Sequence, residues 1–398
     1  MRRNFGLEEL HISEAVSPSW KNKSLSTIND LCFGDEEMKA WRLHAYGDHR
    51  FGEVPLPETK PGCVLVKVKV VQVAIVEVGL MEGMSHLHQS GITKSLSEGK
   101  PLQLGHEFCG EVVDAGQGVT SLKVGDRVCY PGGRFPCGTC PGCRAGKDCL
   151  SPLSIPGEVS GAFAEYTCIP EQGLARMPEG PTDNEVAAFQ PLGSCVKCVR
   201  SAGIKMGDTV VLLGQGSMGL GCLQIAKLAG AGLLIAVGRR AENLDLARDF
   251  GADIVINARE VDPIEEVKRV TDNSGADIVF ELAGGREKDG LAGSKTIEQA
   301  MQMVKAGGKI IEGANLEGMI EFDTVFMRIR GISFINPPPP VNHLHDLQYA
   351  AFLVASKRVK VGPQISHVLH GLENLPEAAK ITANKAKYHA TNPAQIVV

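Results

Sequence analysis

The sequence predicts an α/β protein that contains a doubly wound parallel sheet, and three observations lead to this prediction. An apolar, strand-like run at residues 209–213 leads into three glycines and then into a helical pattern. A second apolar run follows at 233–237, and further strand-like runs alternate with helical segments such as 263–271 and 296–304. Strands that alternate with helices build parallel sheets. The 398 residues are also too many for one ordinary core, so we expect two domains.

The composition argues against several classes of protein. A net charge of −5 and a pI near 6.1 provide no basic surface for nucleic acid. No apolar run approaches the roughly 20 residues that span a bilayer, so we expect no membrane segment. The N-terminus has two arginines but no apolar run behind them, unlike a secretory signal. We therefore expect a cytoplasmic protein whose partner is a small-molecule substrate.

The glycines after the first apolar strand have the spacing of a dinucleotide-binding loop. The first permits a tight turn, the second lets the main chain approach a pyrophosphate, and the third lets the helix close against the strand. The helix N-terminus then offers amide donors to the phosphates. We predict that a nicotinamide dinucleotide binds at Gly214, Gly216, Ser217, Met218 and Gly219.

The end of the second strand bears on the choice of nucleotide. An NAD site usually has an acidic residue there, which holds the ribose hydroxyls. This chain has Gly238 followed by Arg239 and Arg240, and two guanidinium groups can bind a 2′-phosphate. The pattern favours NADP over NAD. The alternative is a pair of solvated arginines beside an NAD site that uses another contact.

A cysteine cluster has the spacing of a metal site. Its members, Cys137, Cys140, Cys143 and Cys149, stand at intervals of three, three and six residues, with Gly and Pro between them. Zinc bound by four thiolates is the usual structural site and leaves no position open for a substrate. We therefore predict a structural zinc ion. The alternative is four unrelated surface cysteines.

The motifs together resemble the zinc-type medium-chain alcohol dehydrogenases, the group that includes sorbitol and threonine dehydrogenases. The resemblance runs from residue 38 to 398 and rests on "KPGCVLVKVKVV", "GHEFCGEVV", "GDRV", the cysteine cluster, "GAFAEY" and the glycine loop. It implies a GroES-like, mostly-β catalytic domain of residues 38–191 and 338–398. A Rossmann NAD(P)-binding domain of residues 192–337 would be inserted between them, with substrate in the cleft. Homodimers or homotetramers are common in this family.

Residues 1–37 precede the resemblance and form an N-terminal extension. The segment has too few aromatic residues to fold alone. It is either a flexible tail or an arm that orders against the catalytic domain or a neighbouring subunit, and its apolar residues favour the arm.

The segment 103–128 reads as a β-hairpin with His106 at its entrance. The resemblance implies that His106 is a ligand of a catalytic zinc and that Glu107 lies beside the metal. The other ligand positions depart from the family pattern. The family's Cys-Gly-Ser/Thr-Asp run is here "AIVE", which begins at Ala74 and keeps an acid only at Glu77, and the third ligand position holds Gln190. A catalytic zinc is therefore doubtful.

Three arrangements remain open for the chemistry at the substrate oxygen. Glu77, His106 and Glu107 could form a carboxylate-rich metal site, or Cys109 could reach in. Without metal, loop histidines at 86 and 88 could act as acid or base, although loop histidines are more often solvated. Alternatively, His106 merely bonds Glu77 in a relict pocket.

The predicted function is an NAD(P)-dependent oxidoreductase that transfers hydride between the nicotinamide and a small or medium alcohol or carbonyl substrate. An alternative within enzymes is a zinc-independent reductase of activated double bonds. An alternative outside enzymes is a nucleotide-binding scaffold without turnover.

Overall fold

The computed structural model describes residues 36–84, 89–132, 137, 139–145, 149–150, 161–284, 295–314, 316, 321–337 and 343–398. From Glu37 to Val398 the chain forms one compact unit. The predicted N-terminal arm lies outside the described residues, apart from its last two positions, and the loop histidines at 86 and 88 also lie outside them.

The strands of the described residues alternate with helices only in the second half of the chain. They are β1 (Glu37–Ala45), β2 (Asp48–Pro55), β3 (Cys63–Gln72), β4 (Glu107–Ala115), β5 (Arg127–Cys129), β6 (Tyr166–Pro170), β7 (Ala175–Arg176), β8 (Thr209–Leu213), β9 (Leu233–Gly238), β10 (Ile254–Asn257), β11 (Ala276–Glu281), β12 (Val304–Glu312), β13 (Ser333–Ile335), β14 (Val368–His370) and β15 (Gln395–Val397).

The α-helices are short in the first half of the chain and longer after residue 188. They are α1 (Ile75–Met81), α2 (Gln89–Ser97), α3 (Pro141–Arg144), α4 (Asp183–Ala187), α5 (Phe189–Ala202), α6 (Ser217–Leu228), α7 (Ala241–Asp249), α8 (Pro263–Val270), α9 (Lys295–Met303), α10 (Thr324–Arg330), α11 (His343–Ala355) and α12 (Leu375–Ala383). Among the described residues, no helix combines the length and the apolar character needed to cross a bilayer.

The second half of the chain builds a six-stranded parallel sheet in the order β10-β9-β8-β11-β12-β13. Its central strand β8 is apolar on both faces. Val210 and Leu212 face one apolar cluster, while Val211 and Leu213 face another. A parallel sheet covered by helices on both sides requires such continuous apolar strands. The predicted α/β class with a doubly wound sheet is confirmed.

Strands β1 and β2 pair antiparallel in a sheet of their own, and the remaining strands form a seven-stranded sheet in the order β14-β15-β3-β4-β5-β7, with β6 paired to β3. The predicted hairpin is present, because β4 pairs antiparallel with β5. The C-terminal strand β15 pairs with β3, so residues near position 395 lie beside residues near position 72. This pairing brings the end of the chain to the site described below.

The six-stranded and seven-stranded sheets share one apolar cluster. A single apolar cluster contains Val70 and Cys109 of the antiparallel sheet together with Leu212 and Leu223 of the parallel-sheet region. Helix α5 packs against α6 and α11 between them. The continuous core holds the end of the glycine loop close to the entrance of β4. The domain limits at residues 38, 192 and 338 stay predictions.

Candidate functional site

The glycine loop between β8 and α6 has the geometry of a phosphate cradle. Gly214 has a φ of 98°, and a Cβ there would lie 2.6 Å from the Cα of Ala283. A Cβ on Gly219 would lie 1.9 Å from the carbonyl oxygen of Gly214. A Cβ on Gly216 would meet no atom within 4 Å. Gly214 and Gly219 are therefore required by the fold, because a side chain at either position would collide with the main chain. Gly216 borders open space in which a ligand fits.

The corner after β9 carries the residues that bear on nucleotide choice. Gly238 is the last residue of β9 and is buried, and a Cβ there would lie 2.9 Å from a methyl group of Leu244. Arg239 is exposed. Arg240 is half-buried, precedes α7 and donates a hydrogen bond to the carbonyl oxygen of Ala390. One guanidinium is thus held against the C-terminal segment while the other faces solvent.

Two further cations contribute to the positive charge of this corner. Burial lowers the pKa of Arg240; the charge of Glu242 acts in the opposite direction, and the charge of Arg259 acts in the same direction as burial. Burial lowers the pKa of Lys385 to about 8, with a further contribution from the charge of Arg240 and an opposing one from Glu107. The ammonium of Lys385 donates to the carbonyl oxygen of Thr382 at 3.2 Å. Sequence reasoning missed Lys385, since no motif marks it.

The structure brings Glu77 and His106 into direct contact. Glu77 lies on α1 and is 2% exposed, and both its oxygens lie 3.1 Å from the main-chain nitrogen of Gly105, which donates to them. The Nδ1 of His106 donates to Oε1 of the same carboxylate. Burial disfavours the imidazolium, but the Glu77 charge and hydrogen bond outweigh burial and, with Glu107, raise the pKa of His106 to about 9. His106 is therefore positively charged at neutral pH.

Glu107 lies on the other side of the imidazole. Its Oε1 is 3.9 Å from the Nε2 of His106, and its Oε2 accepts a hydrogen bond of 2.5 Å from the side-chain amide of Gln72. Burial raises the pKa of Glu107, although His106 and Gln72 act in the opposite direction. The His106 side chain is 28% exposed, so solvent or a substrate can reach the ring.

Two side chains near Glu77 are not part of any sequence motif. Burial, and then the charge of Glu77, raises the pKa of Tyr130, which follows β5 and is 3% exposed. His49 on β2 is half-buried, and burial lowers its pKa while the charges of Glu82, Asp48 and, to the smallest extent, Glu77 act in the opposite direction. Both residues therefore belong to the surroundings of the Glu77–His106 pair. Their placement depends on strand packing and has no local signal.

The residues present do not fit a catalytic zinc ion. Glu77 already accepts three hydrogen bonds, from Gly105 and His106. Ala74 has no ligand atom, and the Gln190 amide donates to the carbonyl oxygen of Pro131 at 3.4 Å. The thiol of Cys109 donates to Asp183 at 3.5 Å. In the described part of the chain, Glu77, His106 and Glu107 do not form a converging group of metal ligands.

The four-cysteine cluster does fit a zinc ion. One sulfur atom from each of Cys137, Cys140, Cys143 and Cys149 lies within 4.8 Å of the others. The Cys149 sulfur is 3.6 Å from that of Cys137 and 3.8 Å from that of Cys140. Four thiolates bound 2.3 Å from one tetrahedral ion stand about 3.8 Å apart. These cysteines can therefore hold one structural zinc.

The surroundings of the cluster favour thiolates. The main-chain nitrogens of Cys143 and Leu150 donate to the Cys140 sulfur at 3.4 and 3.3 Å. These bonds lower the pKa of Cys140 to about 6, against the effect of burial. Thiolates are the form that binds metal. A short helix, α3, begins directly after Cys140 and turns Cys143 back toward it.

Two family models match the chain. The one described as "Alcohol dehydrogenase GroES-like domain" matches residues 60–179. The one described as "Zinc-binding dehydrogenase" matches residues 217–336. The first match covers much of the antiparallel sheet, and the second covers the glycine helix and most of the parallel sheet.

Named relatives agree with these matches. The chain is 30% identical to a sorbitol dehydrogenase of Bacillus subtilis over 279 residues, which are 69% of this chain and 74% of the relative. It is 30% identical to an L-threonine 3-dehydrogenase of Pyrococcus horikoshii over 339 residues, which are 83% of this chain and 90% of the relative.

Solved structures show the same fold. A zinc-binding dehydrogenase of Sinorhizobium meliloti bound to NADP has a TM-score of 0.74 and 29% identity, over 92% of this chain and all of that chain. The alcohol dehydrogenase of Thermus sp. ATN1 has a TM-score of 0.74 and 26% identity, over 91% of this chain and all of that chain. Fold, motifs and relatives agree, and the chain belongs to the zinc-type medium-chain alcohol dehydrogenase family as an oxidoreductase.

Proposed function

We propose that this protein transfers hydride between NADP or NAD and a small or medium alcohol or carbonyl substrate. In this proposal His106 donates the proton to the substrate oxygen in reduction and accepts it in oxidation. The observation that carries the proposal is the buried Glu77 carboxylate, which holds the His106 ring in its charged form. A bound nicotinamide supplies or accepts the hydride at the substrate carbon.

His106 can act where this family ordinarily has a Lewis acid. Negative charge develops on the substrate oxygen as a carbonyl is reduced, and a positioned cation stabilises it. Nδ1 of the imidazolium donates a hydrogen bond to Glu77, so the proton on Nε2 is the one available to the substrate oxygen. After the transfer His106 is neutral and regains a proton from solvent through its exposed edge. Alcohol oxidation runs the same steps in reverse.

Matched variants test the proton role. We expect Glu77→Gln and His106→Gln to lower kcat by roughly 10²-fold, while leaving nucleotide affinity nearly unchanged. The control is Glu82→Gln, an exposed glutamate at the end of the same helix. Nicotinamide absorbance with a panel of alcohols, aldehydes and ketones provides the measurement. Activity that is restored to His106→Gln by added zinc would show that a metal, and not the imidazolium, acts on the oxygen.

The same panel separates the two alternatives. Turnover only with activated double bonds would identify a reductase that delivers hydride to carbon. Nucleotide binding without turnover on any substrate would identify a scaffold. The relatives named above are dehydrogenases of sorbitol and threonine, so polyols and hydroxy amino acids belong in the panel.

The four-cysteine cluster is proposed to bind one zinc ion with a structural role. Four thiolates fill a tetrahedral shell, so the ion would hold residues 137–149 together and would not touch substrate. The sulfur distances given above support this assignment.

A homodimer or homotetramer is also proposed. Strand β13 is the edge of the parallel sheet, and helix α10, which precedes β13 in the chain and contacts β12, exposes 64% of Val325 and 79% of Ile329. An exposed edge with apolar neighbours pairs readily with a second copy. Light scattering on the parent and on Ile329→Glu tests this, since a dimer through this face should dissociate in the variant.

The cytoplasm is the proposed location. None of the eleven cysteines among the described residues forms a disulfide, as is usual where glutathione keeps thiols reduced. Fractionation of cells that express the full chain tests this assignment.

A further inference from the structure

A largely buried chain of hydrogen bonds connects the glycine loop to the Glu107 carboxylate. The hydroxyl of Ser217 donates to Oδ1 of Asn392. Nδ2 of Asn392 donates to Oε1 of Gln72 at 2.9 Å. Nε2 of Gln72 donates to Oε2 of Glu107 at 2.5 Å. We call these four residues the Ser217–Glu107 relay.

The relay runs between separate parts of the fold. Ser217 is the first residue of α6, where a nucleotide pyrophosphate is expected. Asn392 precedes β15, and Gln72 is the last residue of β3. Glu107 begins β4 and lies beside His106. The relay thus joins the nucleotide-binding loop to the proposed proton-transfer group.

Every bond of the relay points the same way. Gln395 also donates to Oε1 of Gln72, at 3.1 Å, so two amide groups identify that oxygen as the acceptor. The amide nitrogen of Gln72 must then face Glu107, and Asn392 must present its own oxygen to Ser217. Hydrogen bonds aligned in one direction polarise each other, and a terminal carboxylate strengthens the effect.

Three of the four relay residues are shielded from water, while Ser217 is half-buried at the glycine loop. Gln72 is 0% exposed, Asn392 is 2% exposed and Glu107 is 6% exposed. A buried amide that loses a partner has no water to replace it, so a change at one end affects the next bond. Side chains far apart in an exposed network would relax independently.

We infer that Asn392 and Gln72 are positioning residues that couple nucleotide binding at Ser217 to the hydrogen bonding of Glu107. The inference rests on the proposed function in requiring that a nucleotide binds at the glycine loop. A phosphate oxygen is a stronger acceptor than an amide oxygen and competes for the Ser217 hydroxyl. The negative charge on Glu107 strengthens each bond of the relay, including the bond from the Ser217 hydroxyl to Asn392. Because a phosphate must replace Asn392 as the acceptor of that hydroxyl, the Glu107 charge opposes nucleotide binding.

A double-mutant cycle on nucleotide affinity tests the coupling. The dissociation constant of NADPH, measured by fluorescence, is compared in the parent, Glu107→Gln, Asn392→Leu and the double variant. We expect Glu107→Gln to tighten binding about three- to tenfold in the parent, and less than about twofold in the Asn392→Leu background. Any direct repulsion between Glu107 and the phosphates remains in both backgrounds and cancels in the cycle.

Two variants sharpen the test. Asn392→Asp keeps the acceptor for Ser217 but loses the donor to Gln72, so it should also abolish the coupling. Asn384→Leu is the control, because Asn384 is exposed and its side-chain amide donates to the nearby Lys380 carbonyl, outside the relay. In the Asn384→Leu background, Glu107→Gln should still tighten NADPH binding as it does in the parent. If Asn392→Leu fails to fold, the Asn392→Asp cycle decides the question.

The outcomes are distinct. Equal effects of Glu107→Gln in the parent and in both Asn392 variants would overturn the relay while leaving the proposed function standing. If Glu107→Gln also fails to tighten NADPH binding in the Asn384→Leu background, the relay is overturned too, because a change outside the relay would then have the same result as a change within it. A parent protein that binds neither NADPH nor NADH would overturn the proposed function together with the relay.

Discussion

The guanidinium of Arg240 donates a hydrogen bond to the carbonyl oxygen of Ala390, 150 positions further along the chain. The Asn243 side chain adds a second link to the same segment, donating to the carbonyl oxygen of Thr391 at 3.2 Å. The C-terminal segment is thereby fastened to the corner after β9. As a result, the charges that can select a 2′-phosphate come from both halves of the fold.

The first prediction concerns nucleotide choice. We expect Gly238→Asp to weaken NADP binding by about tenfold or more, because the carboxylate would repel the 2′-phosphate. NAD should bind equally well or more tightly, since an acid at this place can hold the ribose hydroxyls. Calorimetric titration of both nucleotides measures the change.

The control for this substitution is Gly238→Ala, which brings the same Cβ against Leu244 without the charge. It should lower affinity for both nucleotides by a similar factor. A parent protein with equal affinity for NAD and NADP would contradict the assignment.

The second prediction concerns pH. The pKa of Lys385 is lowered from 10.5 to about 8 by burial and by Arg240, so its charge is present below that pH and is lost as the pH rises through it. We expect the dissociation constant of NADP to rise roughly three- to tenfold between about pH 7 and pH 9. The constant for NAD, which lacks the 2′-phosphate, should rise less.

Two substitutions at this position separate charge from shape. Lys385→Arg stays charged over the whole pH range and should remove the loss of NADP affinity at high pH. Lys385→Met should bind NADP weakly at every pH. A pH dependence that persists in Lys385→Met would assign it to another group.

The third prediction concerns the cysteine cluster. We expect about one zinc ion per chain in the parent and much less in Cys140→Ser. Loss of the ion should lower the melting temperature by roughly 5–10 °C. Metal analysis and thermal unfolding provide the two measurements.

Cys63→Ser is the matched control, because Cys63 is a partly buried thiol on β3 outside the cluster. It should keep its zinc. Native protein without zinc, or a Cys140→Ser variant with full zinc content, would show that the cluster is not the metal site.

The fourth prediction compares two glycines of the same loop. Gly219→Ala should destabilise the protein by about 3 kcal/mol or more, because its Cβ would lie 1.9 Å from the Gly214 carbonyl oxygen. Gly216→Ala should leave the free energy of unfolding within about 1 kcal/mol of the parent, since its Cβ meets no protein atom. It should instead weaken nucleotide binding by about tenfold.

Urea unfolding and nucleotide titration distinguish the two variants. If Gly216→Ala binds nucleotide as tightly as the parent, the open space beside Gly216 is not the pyrophosphate site. If Gly219→Ala is as stable as the parent, the close approach of α6 to β8 is not required for folding.

Features with a local cause could be predicted from the sequence. Strand β8 was expected at residues 209–213 and lies there, because its period and the glycines after it are properties of adjacent residues. The β4–β5 hairpin follows from the alternation of residues 103–128 in the same way. The zinc cluster could be proposed because its four thiols lie within 13 positions of sequence, where spacing controls geometry.

Boundaries and partners with a non-local cause could not be predicted as well. Strand β9 runs one residue beyond the expected run and includes Gly238, because pairing with β10 extends it. The hydrogen bond between Arg240 and Ala390 could not be predicted either, because the pairing of β15 with β3 is what places Ala390 beside Arg240.

The sequence by itself determined the order of strands and helices, the glycine loop and the spacing of the cysteines, since short-range sterics and hydrophobic periodicity control these features. It also identified His106, Glu107 and Glu77 as residues of interest, through motif positions. Only the tertiary structure decided that Glu77 contacts His106, 29 positions away, and that Gln72 contacts Asn392, 320 positions away. Such contacts depend on how whole sheets pack and pair, and buried polar groups must then find partners wherever the chain brings them.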